Sequence, residues 1–396
     1  MVKWKEKTLG EVTSFITKGI PPKYSDYESE STIWVLNQKC NRNFEISYSD
    51  ARLHDYNLKK IPENKMLMDG DVLINSTGTG TAGRVAQLQN IQKPTTIDGH
   101  MILLRPTDDI DSLYYGYAIK ACQSQIEGFA EGSTGQTELN RKRLQDEIIV
   151  RYPVDKQEQK AIAYFLLDLD EKIKINVKIN NNLEQQAKAI FANEFLFLEI
   201  LPEDWKQGSL IDIADYLNGL AMQKYRPTVD EEGIPVLKIK ELRQGCCDSN
   251  SELCSTNIKN DYIVHDGDVI FSWSGSLLVD FWCGGTCGLN QHLFKVTSNK
   301  YDKWFFYSWT KHHLDRFIAV AADKATTMGH IKRDELAKAK VLIPNEADYD
   351  RIRALLQPIY DLIITNRIEN KKLASLRDTL LPKLMSGELD VSEIEI

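Results

Sequence analysis

Three groups of residues in this sequence have types and spacings that could do chemistry. Gly78-Thr79-Gly80-Thr81-Ala82-Gly83 has the glycine spacing of a dinucleotide-binding turn and follows an apolar run. Such a turn needs a helix N-terminus behind it to hold a pyrophosphate. Arg84-Val85-Ala86-Gln87-Leu88 instead alternates as a strand does. The stretch therefore reads as a polar hairpin tip, whose small side chains let backbone amides approach a phosphate. Cys283 and Cys287, with Cys246, Cys247 and Cys254 upstream, raise the question of zinc. No C-x2-C pair is present, and reduced, buried thiols are the expectation. His312-His313 and the pair His100 and His292 are read as structural, because no cysteine or carboxylate accompanies them consistently. The chain lacks a G-x-x-x-x-G-K-[ST] phosphate loop, an Asn-Pro-Pro-aromatic motif and a nuclease carboxylate set. Pro202-Glu203-Asp204-Trp205-Lys206 matches the last only superficially. A non-catalytic chain without a metal site of its own is expected.

What does recur is a set of basic and polar residues in corresponding loops. Lys18, Lys23 and Tyr24 parallel Lys224, Tyr225 and Arg226. Asn75, Thr77 and Arg84 fall in one hairpin, and Ser272 and Ser274 in its counterpart. Arg141, Lys142 and Arg143 parallel Lys332 and Arg333. One such cluster is an ordinary solvated face. Three that recur together are the composition of a DNA-binding surface, with cations for phosphates and small polar side chains for base edges.

The elements that must position these loops are duplicated too. Trp4-Lys5 and Leu9 return as Trp205-Lys206 and Leu210, each opening a short helix-like stretch that ends near Gly19 or Gly219. Asp69-Gly70-Asp71-Val72 returns as Asp266-Gly267-Asp268-Val269, a turn leading into a strand. Pro153 and Pro344 each close a β-branched run ahead of a long amphipathic segment. Residues 28–64 and 230–260 share nothing, so one scaffold carries two different surfaces.

The amphipathic segments, residues 156–195 and 347–384, space their apolar positions alternately by four and three, as a coiled-coil seam requires. Both seams break at the middle with two asparagines, Asn176 and Asn180 in one and Asn366 and Asn370 in the other. A two-fold relation between the halves makes the helices antiparallel. It sets Asn176 against Asn370, Asn180 against Asn366, Ile173 against Leu373, Leu183 against Ile363, and Leu166 against Leu380. A slip by one heptad would bury an amide against aliphatic side chains at a cost of ~1–3 kcal/mol. The asparagines thus set register. Pro358 should kink the second helix and Pro382 should stop it.

At 396 residues, with 42% hydrophobic and 27% charged, the chain has the composition of two or three globular domains. The net charge of −8 argues against indiscriminate coating of nucleic acid but permits local basic surfaces. No apolar run spans a bilayer, the first residues are no secretory signal, and seven cysteines do not form a disulfide framework. A cytoplasmic location is expected. The fold class is α+β. Mixed α/β domains at 1–154 and 201–344, related by a pseudo-two-fold axis, are separated by two long helices at 155–200 and 345–396 that form an antiparallel coiled coil.

The two Trp-Lys-x-x-x-Leu openings, the two Asp-Gly-Asp-Val strands, the proline-led helices and the ending Leu381-Pro382-Lys383-Leu384-Met385-Ser386-Gly387-Glu388-Leu389 resemble the specificity subunit of Type I DNA restriction–modification enzymes. The resemblance covers essentially the whole chain. It implies that the domains at 1–154 and 201–344 are target-recognition domains, each reading one half of a bipartite, asymmetric site in double-stranded DNA, that the helices dock two methyltransferase subunits, and that restriction subunits join this core. S-adenosylmethionine, ATP and Mg²⁺ would be bound by those partners, with no cofactor on this chain. A seam of about 30 residues is ~45 Å long, or about 13 base pairs at ~3.4 Å each, which suits two readers separated by an unread spacer. Arg377 on the second seam departs from the pattern. The rivals are a coiled-coil adaptor that binds only proteins and a self-sufficient methyltransferase or nuclease, the latter disfavoured by the missing motifs.

Overall fold

Two short polar runs show how closely the two halves repeat. Thr8 accepts a hydrogen bond from the Glu11 amide at 3.3 Å while the Glu11 carboxylate takes the Thr8 amide at 2.8 Å. The same reciprocal cap joins Ser209 to Asp212. Each cap starts a single helical turn, Leu9–Val12 or Leu210–Ile213. That turn sits between two strands, Trp4–Thr8 and Thr13–Lys18 in one half, Lys206–Ser209 and Asp215–Asn218 in the other. The helix-like opening expected from sequence is thus mostly strand.

The structure is a computed structural model that describes residues 3–131, 138–323 and 333–391. It divides into two compact units. The first is Met1–Asp170 with Ser375–Ile396, and the second is Glu171–Ala374. In the first, Trp4–Thr8 pairs with Ile149–Pro153, and a four-stranded antiparallel sheet runs Thr13–Lys18, Met101–Pro106, Val72–Asn75, Val85–Gln87. A second sheet is built on the parallel pair Thr95–Ile97 and Thr32–Leu36. In the second unit Lys206–Ser209 pairs with Lys340–Ile343, and the antiparallel sheet runs Asp215–Asn218, Leu293–Thr297, Val269–Ser272, Leu278–Phe281. Its parallel pair is Ile234–Leu237 with Cys287–Leu289. The strands flanking each parallel pair differ, and there the two sequences diverge.

The near-continuous apolar runs have a physical reason. Val72 and Ile74 enter one core with Ile102 and Leu104, while Leu73 enters a second core with Met101 and Leu103. Likewise Val269 and Phe271 pack with Phe294 and Val296, and Ile270 with Leu293 on the opposite face. A sheet covered on both sides has no polar face, so alternation vanishes. The Asp-Gly-Asp turns anchor these strands. Asp71 takes the Met68 amide at 2.8 Å and Asp268 takes the His265 amide at 2.9 Å. Each carboxylate also holds a cation that reaches on to a backbone carbonyl: Arg105 (2.7 Å) to Met66 O, and Lys295 (2.9 Å) to Ile263 O.

Each long helix has part of its length in each unit, Lys156–Phe191 and Glu346–Ser386. Within the second unit, Asn176 donates to Asn370 at 2.8 Å and Asn366 donates to Asn180 at 2.9 Å. Positions rise on one helix as they fall on the other, so the pair is antiparallel. The two accepting asparagines in turn donate from Nδ2 to backbone carbonyls, Asn180 to Ile363 O and Asn370 to Ile173 O. Leu183 and Ile363 pack in one core, and Ile173 and Leu373 are half-buried. Within the first unit Leu166 and Leu380 pack in one core. There the seam cation Arg377 pairs with Asp170 at 2.5 Å. The second helix runs unbroken through Pro358 and past Pro382. Leu381, Leu384 and Met385 are buried in the first unit's core and hold the last turns helical despite the missing amide. The stop comes at Gly387, φ 74°, with Glu388 N bonded to Lys383 O at 3.0 Å and Gly387 N to Leu384 O at 3.4 Å. This is a left-handed glycine cap.

Candidate nucleic-acid interface

In the first unit, long-range packing gathers four cations. Lys18 ends its strand and forms an ion pair with Glu138. Lys65 donates to Lys18 O at 2.8 Å and Gly19 O at 3.1 Å, and Lys59 donates to Pro21 O at 3.0 Å. Burial lowers the Lys65 pKa, and the nearby charges of Arg141 and Lys59 lower it further. Lys18, Lys59, Lys65 and Arg141 therefore share one neighbourhood. Lys59 and Lys65 escaped the sequence reading because neither belongs to a recurring cluster. Lys23 is exposed beside them in sequence, and Tyr24 lies under the Arg52 guanidinium, 3.3 Å from ring centroid to Cζ. Arg141 and Lys142 are exposed on the first turn of Arg141–Glu147, where Asn140 caps the Lys142 amide at 2.9 Å. Arg143 turns away, bound to Glu147 at 2.8 Å and stacked over Phe129.

The hairpin behaves differently from the sequence expectation. Asn75 is fully buried, donating to Gln38 O at 3.0 Å and accepting from Asn41 at 3.2 Å. Ser272 is also fully buried, its hydroxyl donating to Ser276 O at 2.9 Å, and Ser274 is only 2% exposed. These three side chains belong to the interior and cannot face a duplex in this fold. Asn75 and Ser272 each end a strand, and their side chains satisfy backbone carbonyls that would otherwise be orphaned, while the Ser274 hydroxyl bonds His292 Nδ1 at 3.1 Å. Thr77 stays at the surface, bonded to His100 Nδ1 at 2.9 Å and Gln38 Oε1 at 3.2 Å. Arg84 folds back onto Gly80 O at 3.0 Å.

In the second unit a cleft of about 480 Å³ is lined by Arg226, Lys238, Lys240, Glu252, Gln291 and His292, among others. Lys238 holds Glu252 at 2.6 Å, and that hydrogen bond keeps the carboxyl below its usual range. Lys240 reaches Asp248 at 3.3 Å. Lys224, Tyr225 and Arg226 are exposed on and after the 3-10 turn Met222–Lys224. Arg333 is exposed but donates to Tyr216 O at 3.1 Å, and Lys332 lies outside the described residues. Lys23, Arg141, Lys142, Lys224 and Arg226 make no ion pair with another described residue. Unpaired cations beside amide and imidazole groups can hold phosphates and offer donors to base edges.

The cysteines are all reduced, and Cys40, Cys254, Cys283 and Cys287 are buried. Among the described residues no three metal-binding side chains converge. Among them, too, no helix is long and apolar enough to cross a membrane.

The family model described as Type I restriction modification DNA specificity domain matches residues 1–185 and again 202–376. The chain belongs to this family. The specificity subunit of the MjaIX Type I restriction enzyme of Methanocaldococcus jannaschii is 26% identical, over 98% of this chain and 94% of its own. The HindI specificity subunit of Haemophilus influenzae is 19% identical, over 98% of this chain and 100% of its own. The crystal structure of a Type I restriction–modification S subunit from M. genitalium superposes with a TM-score of 0.59 at 16% identity, covering 97% of this chain and 96% of that one. The chain is thus a specificity subunit, a non-catalytic component of a Type I restriction–modification system whose task is DNA sequence recognition.

Proposed function

We propose that this specificity subunit reads a bipartite, asymmetric site in double-stranded DNA, with domain 1–154 on one half and domain 201–344 on the other. The observation that carries this reading is a duplicated scaffold with unlike surfaces. The same strands, caps and turns recur, while the strands beside each parallel pair and the loops they carry do not. Two readers of one sequence would have no use for that difference.

The revised interface comprises Lys18, Lys23, Tyr24, Thr77, Arg141 and Lys142 with Lys59 and Lys65 in the first unit. In the second it comprises Lys224, Tyr225 and Arg226 with the cleft residues Lys238, Lys240 and Gln291. The paired helices set the spacing of the half-sites and dock two methyltransferase subunits, and restriction subunits join through that core. S-adenosylmethionine, ATP and Mg²⁺ act on those partners, in the cytoplasm where the DNA lies. Mapping modified bases genome-wide, with and without this gene, tests the reading. Loss of one split, asymmetric motif on deletion is the expected result; an unchanged map overturns it. A protein-only adaptor would in addition show no salt-dependent affinity for duplex DNA.

A further inference from the structure

The two recognition surfaces differ, yet one hydroxyl–imidazole contact recurs in both. His100 Nδ1 lies 2.9 Å from the Thr77 hydroxyl, and His292 Nδ1 lies 3.1 Å from the Ser274 hydroxyl. The turn beneath each ring is copied as well. The His100 amide donates to Asp98 Oδ1 at 2.9 Å and the His292 amide to Asn290 Oδ1 at 3.2 Å. A glycine presses on each turn from the neighbouring strand. A Cβ at Gly19 would lie 2.1 Å from Asp98 O, and one at Gly219 would lie 2.2 Å from Asn290 O. Gly19 N then bonds Met101 O at 3.1 Å and Gly219 N bonds Leu293 O at 3.0 Å.

A histidine retained only for packing would be buried in both halves. His100 is exposed, and His292 is half-buried on the wall of the basic cleft. Around them the sequence is free to change: Asn37-Gln38 leaves the parallel strand in the first unit where Lys238-Ile239 leaves it in the second. A group common to two surfaces that read different bases must touch what both half-sites share. That is the phosphodiester backbone.

Resting on the function proposed above, we infer that His100 and His292 are equivalent backbone anchors, each donating an Nε2 hydrogen to a phosphate oxygen in its own half-site. The hydroxyl at Nδ1 can donate or accept, so it fixes the ring plane while a phosphate at Nε2 selects the form with its hydrogen there. Both positions sit beside cations. Thr77 bridges to Glu138, the partner of Lys18, and His292 shares its cleft with Arg226, Lys238 and Lys240. The Gln291 side-chain nitrogen lies 3.4 Å from His292 Nε2, a long contact that an arriving phosphate oxygen replaces.

The test uses the full chain assembled with its methyltransferase subunits. Affinity is measured for the mapped target duplex and for duplexes with either half-site scrambled, using His100→Ala, His292→Ala and the corresponding glutamine variants. Each alanine variant should bind every duplex more weakly by the same factor, roughly tenfold for one lost hydrogen bond to a charged group. The ratio between target and scrambled duplexes should not move. Glutamine, which carries an N–H to nearly the same reach, should restore most of the affinity. Melting temperatures accompany each measurement. Where alanine lowers the melting temperature, the glutamine variant decides: folded yet as weak as alanine, it overturns the inference. Unchanged affinity in the alanine variants overturns it, and so does a loss confined to duplexes that retain one particular half-site. A wild-type assembly that shows no sequence preference instead overturns the DNA-reading function itself.

Discussion

Lys120 shows what a single buried charge does in the first unit. Its side chain is 12% exposed and its ammonium nitrogen is buried, 3.6 Å from Asp170 and over the Phe44 ring at 4.3 Å. Burial pushes its pKa down to about 8, against the opposing pull of Asp170. The unfolded chain binds that proton more tightly, so the charged lysine opposes folding below pH 8, and the penalty fades as pH rises toward 10.5. Lys120→Met should therefore leave the protein equally or more stable at pH 7. Its advantage over wild type should shrink between about pH 8 and the ordinary lysine range, as followed by denaturant titrations in that window. Arg377→Met should do the opposite. It leaves Asp170 without its nearest cation and should cost about 3 kcal/mol, the lower end for a broken buried pair, because Lys120 and the Tyr117 hydroxyl at 2.8 Å remain. The surface cations behave differently again. Lys23→Ala or Arg141→Ala should weaken binding to all duplexes alike and reduce the salt slope by about one unit. Asn75→Ala should instead cost about 1–3 kcal/mol of stability, since Gln38 O and Asn41 lose a buried partner, and should leave the modified motif unchanged.

At the scale of elements, the helix pair is held in register by amides. Asn176 meets Asn370 as Asn366 meets Asn180, and each layer is satisfied only when both partners are present. Asn180→Leu alone should cost about 1–3 kcal/mol, because the Asn366 amide is left facing an aliphatic side chain. Adding Asn366→Leu should recover most of that loss or exceed it. A double-mutant cycle by thermal denaturation measures the coupling, and additive losses would show that the amides do not act as a pair. The helices also receive the globular elements through matched contacts. In the first unit Tyr117 donates to Asp170 on the first long helix. In the second, Ser308 shares a hydrogen bond of 3.0 Å with Tyr360 on the second long helix. The phenol has changed sides between the copies while the contact has survived. That exchange locates the constraint in the packing of element on element, with side-chain identity free to drift.

For the whole molecule, a duplicated scaffold makes the two readings separable. Exchanging residues 1–154 for the corresponding domain of a relative should change one half of the modified motif and spare the other. Inserting matched helical turns into both long helices should lengthen the unread spacer and leave both half-sites alone, which sequencing of modified bases reads directly. A swap that scrambled both half-sites would refute the modular arrangement.

The sequence by itself determined the duplication, the antiparallel pairing and the family. All three rest on periodic or repeated signals: seam spacing, two asparagines at the centre of each seam, and landmark runs such as Asp-Gly-Asp-Val. Periodicity reports which residues share a face, and for the helices that was enough to pair Asn176 with Asn370. Tertiary structure alone decided which polar residues of the recognition loops are free to meet DNA. Asn75, Ser272 and Ser274 have the chemistry of base readers, but the fold buries all three; Asn75 and Ser272 spend their hydrogen bonds on backbone carbonyls, and Ser274 on the His292 ring. Lys59 and Lys65 carry no local signal, yet they arrive beside Lys18 and Arg141 through contacts made across the fold. The end of the second helix followed the same logic. Proline at 382 reads as a stop, but burial of Leu381, Leu384 and Met385 outweighs one missing amide, and a glycine cap several residues later sets the end. Local pattern fixes which face a side chain shares; only long-range packing fixes whether that face is covered.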